Sequence, residues 1–66
     1  MNIVEKLARE IRRVAGIRHY FVQIGTAGTF ATTMMDAALE QGCTAIGSGD
    51  PAAIMAASLE LEGFHE

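Results

Sequence analysis

Apolar residues recur at three- and four-residue steps through the start of the chain, where Val4, Leu7, Ala8, Ile11, Val14 and Ala15 fall on one side of a helix. Asn2 can accept a hydrogen bond from a first-turn amide, and Glu5 can reach back to it, a capping box with Asn in place of Ser or Thr. Gly16 supplies a stop. On the polar side Glu5 stands four residues before Arg9, and Arg12 and Arg13 fall in the last turn, where cations suit the helix dipole. These arginines read as a solvated helix face.

The texture then changes. His19 to Ile24 combines aromatic and β-branched residues in a short run that favours a strand. Gly25-Thr26-Ala27-Gly28 predicts a turn, after which Thr29 to Thr32 returns as the second strand of a hairpin. A competing reading starts a long helix near Thr29, with Phe30, Met34 and Leu39 roughly on one side. The hairpin is preferred because Thr33, with Asp36 three places later, resembles a helix start. A second helix then spans Met34 to Gln41, ended by Gly42, and Cys43 to Ile46 forms a short strand broken by Gly47-Ser48-Gly49.

Asp50 is a strong cap, and Pro51 fits the first helical position, whose amide needs no partner inside the helix. The third helix continues through Ala52, Ala53, Ile54, Met55, Ala56, Ala57, Leu59 and Leu61. Gly63 is placed for a left-handed turn at its end, with Phe64 folding back on the last apolar residues. The expected order is α-β-β-α-β-α, an α+β fold in which helices pack on a small two- or three-stranded sheet. Residues 1–66 read as a single compact domain.

Length limits what this domain can do. A chain of 66 residues hides only ~60% of the surface it exposes when unfolded, so its stability rests on tight packing or on a partner. Half the residues are apolar but Trp is absent, which leaves Ala, Met, Ile, Leu and Val to fill the core. One cysteine, Cys43, forms no internal disulfide. Without a leader-like segment or a long apolar run, the chain is expected to be cytoplasmic.

Motifs for chemistry are missing. Gly47-Ser48-Gly49-Asp50 precedes a helix as phosphate-cradling loops do, but it lacks the P-loop Lys and the dinucleotide glycine spacing, and an acid stands where a phosphate would approach. No hydroxyl has a base and an orienting acid nearby in sequence, and Cys43 in an apolar strand reads as buried and structural. His19 and His65 stand apart from any Cys pair, so no zinc spacing exists. The expectation is a protein that is not an enzyme, with no catalytic residue, no metal and no cofactor.

Charge is the remaining clue. All five cations (Lys6, Arg9, Arg12, Arg13 and Arg18) precede residue 19 and are opposed there by Glu5 and Glu10, a net of +3. Beyond them lie only acids, Asp36, Glu40, Asp50, Glu60, Glu62 and Glu66, a net of −6. Such asymmetry speaks of partners rather than fold. Asp36 and Asp50 sit at expected helix starts, where negative charge is stabilising. Glu40, Glu60 and Glu62 fall near expected helix ends, where each carboxylate costs about 0.3–1 kcal/mol. Solubility accounts for such acids, and so does a negative patch that imitates nucleic acid and occupies a basic groove.

In this whole-chain character, and in the acidic surface of Glu40, Asp50, Glu60, Glu62 and Glu66, the chain resembles small phage-encoded anti-CRISPR proteins that act on type I surveillance complexes. The resemblance implies a non-enzymatic inhibitor that docks on a basic nucleic-acid-binding protein, such as a Cas subunit of a type I complex, and blocks target DNA. It implies a monomer or weak homodimer that binds neither nucleic acid nor membrane itself. The alternative is a small phage or bacterial regulatory or assembly protein that acts through the Ala/Met face of its third helix, by docking a larger protein or by homodimerisation.

Overall fold

Asn2 starts the first helix as its side chain requires, since Oδ1 accepts a hydrogen bond from the Glu5 amide at 2.8 Å. The structure, a computed structural model, describes residues 2–65 and consists of three helices: α1 (Ile3–Gln23), α2 (Thr26–Ser48) and α3 (Pro51–Glu62). No strand occurs among the described residues. The α+β expectation is therefore corrected to an all-α three-helix bundle.

The first correction is at Gly16, which interrupts nothing. A stripe of Ile3, Leu7, Ile11, Val14, Ile17 and Phe21 steps by three and four residues straight across it, and Leu7, Val14 and Ile17 are buried. Tertiary burial of that stripe outweighs the strand preference of residues 19–24. Arg12 and Arg13 accordingly lie in mid-helix, and no basic residue occupies the last turn of α1.

Of the expected turn only Gly25 stays in the connection, and the rest of it, the second strand, the short helix and the third strand are replaced by the 23-residue α2. Its inward stripe is Gly28, Ala31, Met35, Ala38, Gly42 and Ala45, a repeating 4-3 spacing of mostly small residues. Gly28 and Gly42 are contact points rather than breaks. A Cβ at Gly28 would stand 2.1 Å from the Phe21 carbonyl oxygen, and one at Gly42 would stand 3.2 Å from Ile11 Cδ1 and 3.5 Å from Leu61 Cδ1. Among the described residues only Gly25 and Gly49, at φ +73° and +70°, take the positive φ with which the chain turns. Thr33 does not cap a helix, because its hydroxyl donates to the Thr29 carbonyl at 3.0 Å within α2. Asp36 consequently lies inside α2 rather than at a helix start.

The start of α3 follows the sequence: Asp50 Oδ1 accepts from the Ala52 amide at 3.0 Å, and Pro51 is the first helical residue. Its end does not, since Gly63 remains right-handed at φ −74°. Phe64 is half-buried against the core.

The helices run up, down and up, joined by two two-residue connections, Ile24–Gly25 and Gly49–Asp50. Leu7, Val14, Met35 and Leu61 are the largest fully buried side chains. Twelve residues of α3 span ~18 Å at the helical rise, half of the molecule's 36 Å length. Because Ile11 and Leu61 meet at Gly42, α3 stands beside the first half of α1 and the second half of α2. The other half of the α1/α2 hairpin projects beyond it. No described helix is long and apolar enough to cross a membrane.

Candidate partner-binding groove

The cations are the first surprise of the site, because α1 spends three of them on its own neighbours. Lys6 pairs with Glu62, and Arg18 pairs through two nitrogens with the Asp36 carboxylate. The hydrogen bond from Arg18, with its charge, holds the Asp36 carboxyl below the usual carboxylate range and raises the guanidinium above its own. Arg13 makes the most contacts. Its Nε donates to Glu10 Oε2, Nη1 to the Phe64 carbonyl and Nη2 to the Leu61 carbonyl, each at 2.8 Å. Those carbonyls lie at the end of α3, where a cation suits the helix dipole, and the Leu61 carbonyl accepts from the Phe64 amide as well, at 3.1 Å. Arg9 and Arg12 are exposed.

This arrangement sorts the predicted acids into three groups. Glu62 is neutralised by Lys6 and turns away from the others. Glu66 lies outside the described residues. Glu40, Asp50 and Glu60 all line one open groove of about 700 Å³ between α2 and α3. The groove exists because both helices present small side chains there: Ala37, Thr44 and Ala45 from α2, and Ala53, Ala56 and Ala57 from α3. Gln41 and Ser48 complete the α2 wall, and among the described residues no cation lines it.

Glu40 reaches the groove from the interior of α2, eight residues before its last one. The helix-end penalty expected for Glu40 is thus corrected, since the dipole acts within the last turn only. Glu60 and Glu62 do occupy the last turn of α3, and of the two only Glu60 lacks an ion pair among the described residues. Asp50 contributes charge while one of its oxygens caps α3.

Comparison with protein-family models, with curated proteins and with solved structures finds no match to this chain. What the groove can do rests on its own residues. Ser48 is occupied, donating to the Ala45 carbonyl at 2.7 Å and accepting from the Asp50 amide at 3.1 Å. Cys43, expected to be buried in a strand, is exposed on α2. No group of three metal-binding side chains gathers among the described residues. Asp50, at the start of α3, and Glu60, in its last turn, stand about 15 Å apart along the helix, so the groove suits more than one cationic side chain, each with its aliphatic stem on the alanines and its head at an acid.

The sequence missed the ties made by Lys6, Arg13 and Arg18. A signal was present for two of them: Lys6 and Arg13 are seven residues apart and so share a helix face. That face belongs to α3 once Gly16 is read as helical.

Proposed function

We propose that this chain works by stoichiometric binding, and that its α2/α3 groove receives a cationic element of a basic nucleic-acid-binding protein. The observation that carries the reading is that Glu40, Asp50 and Glu60 line one groove that no cation lines among the described residues, while the nearest cations of α1 are engaged with other partners. The net charge of −3 steers the molecule toward such surfaces. Within this class the narrower proposal is an inhibitor of the anti-CRISPR kind, occupying the DNA-binding groove of a Cas subunit of a type I surveillance complex. Glu62 is assigned to the α1/α3 pair rather than to the partner.

Purified type I complex, titrated with the protein at low and high salt and challenged with target DNA, tests both levels. Glu40→Lys with Glu60→Lys should weaken binding at least tenfold and flatten its salt dependence, whereas Glu62→Gln should change affinity by less than about twofold. Binding that survives the double reversal sinks the groove reading. Binding that persists without competition by DNA retains the groove and removes the inhibitor.

A further inference from the structure

The face of α1/α2 that holds α3 does not stop where α3 stops. Steps of seven residues keep a position on nearly the same side of a helix. On α1, Lys6 and Arg13 touch α3, and the next position on that row is Tyr20, flanked by Ile17 and Ile24. On α2, Ala37 and Gln41 line the wall facing α3, and seven residues earlier stand Phe30 and Met34. The seat of α3 therefore continues along the projecting half of the hairpin as a trough edged by Tyr20, Ile24, Phe30 and Met34. These residues are 49%, 45%, 78% and 46% exposed, an apolar row of the kind that often marks an interaction site.

Charge decides what covers it. From His19 to Met35 the sequence contains no Asp, Glu, Lys or Arg, and Arg18, at the margin, is already paired with Asp36. A tip without cations on a chain of net charge −3 does not suit an anionic membrane, which recruits amphipathic helices through Lys and Arg. A partner chosen by charge has nothing to recognise here. An identical tip, in contrast, brings the same uncharged apolar row, and a two-fold axis makes each row the complement of the other. We propose that a second copy of this chain covers the trough, the two hairpin tips packing into a four-helix assembly centred on Phe30.

The area agrees with a weak, reversible pair. Four exposed large side chains, each with on the order of 100–200 Å² to bury when aromatic and less when aliphatic, give on the order of 400 Å² per copy. Some 800 Å² in all is below the ~1,200 Å² of stable specific interfaces and falls among weak, transient contacts. Ala31, beside Phe30 on the inward stripe, keeps the trough floor low enough for a second helix to approach.

Sedimentation equilibrium from micromolar to millimolar concentration tests the proposal on the intact chain. A monomer–dimer equilibrium is expected, with a dissociation constant on the order of 100 µM. Phe30→Glu, at a site already 78% exposed, should keep the helical spectrum and raise that constant at least tenfold. Leu59→Glu, at an exposed apolar site on α3 outside the trough, should leave it within about twofold. A strict monomer at millimolar concentration overturns the proposal. So does a dimer indifferent to Phe30→Glu, or one equally weakened by Leu59→Glu. A further arm adds vesicles of phosphatidylcholine with phosphatidylglycerol; a shift in Tyr20 fluorescence on mixing would assign the trough to lipid and overturn it too, and none is expected.

Discussion

Two glycines inside helices should respond to alanine with opposite signs. Gly16 is exposed in mid-α1, and a Cβ there would meet no atom within 4 Å. Alanine removes the conformational cost of a helical glycine, a gain of about 0.5–1 kcal/mol. Gly28 offers the same gain but no space, because its added Cβ would lie 2.1 Å from the Phe21 carbonyl oxygen and 2.9 Å from both the Phe21 carbonyl carbon and Ile24 Cγ1. Two of these atoms are backbone, so relief requires α1 and α2 to move apart near their connection, loosening Ile17 and Met35. Overpacking of this kind costs about 1–3 kcal/mol or more, and with the helical gain of about 0.5–1 kcal/mol subtracted, Gly28→Ala is destabilised by up to about 2.5 kcal/mol. For a domain of this length one kcal/mol moves the midpoint by about 4–8 °C. Far-UV circular dichroism melts at one fixed protein concentration should show Gly16→Ala melting higher than the parent and Gly28→Ala lower. Concentration is held constant because association raises the apparent midpoint. A stabilised Gly28→Ala would deny the close helix crossing, and a Gly16→Ala variant with less helix or a lower midpoint would deny a continuous α1.

Other consequences concern the ties made by α1. Arg13→Ala loses the hydrogen bonds to Glu10, Leu61 and Phe64 and should cost about 1–3 kcal/mol, with amide exchange quickened at the end of α3. Lys recovers little of it because one ammonium cannot reproduce the guanidinium fork, and an unchanged Arg13→Ala midpoint would refute the tie. Asp36, held low by Arg18, has a folded pKa below its unfolded value of about 3.9. Its contribution is therefore complete above that pH and is lost as pH falls through the lowered folded value. Asp36→Asn should erase this part of the acid dependence, and a carboxyl titration by NMR at or above the ordinary aspartate range would show that the pair does not form.

Local signals that act within one turn were legible in the sequence. Asn2 and Asp50 cap, Pro51 opens α3, and Gly49 turns the chain, all because hydrogen bonding and backbone freedom at those sites depend on immediate neighbours. The course of α2 was not legible in the same way. Its inward positions are glycines and alanines, so its hydrophobic period is faint, and Gly28 and Gly42 resemble breaks until the neighbours that need their missing Cβ atoms are known. The alternative of a long helix near Thr29 came closer, since α2 runs through that segment, but Phe30 and Met34, which it set on one side with Leu39, are exposed while Met35 and Ala38 are buried. For the groove, acidity could be read residue by residue but convergence could not. Glu40 and Glu60 share a wall only because α2 is continuous past Gly42, and Glu62 leaves it because Lys6 waits across α3.

Joining successive helices by two-residue links has a kinetic meaning. Each link brings adjacent segments together at little loop-closure entropy, so α1 with α2 and α2 with α3 can form from near neighbours in the chain. One distant encounter remains, the return of the carboxyl-terminal helix to the first, where Arg13 grips the Leu61 and Phe64 carbonyls. A topology with a single long closure belongs among fast folders, in the microsecond-to-millisecond range, and spends little time as a half-assembled, aggregation-prone chain.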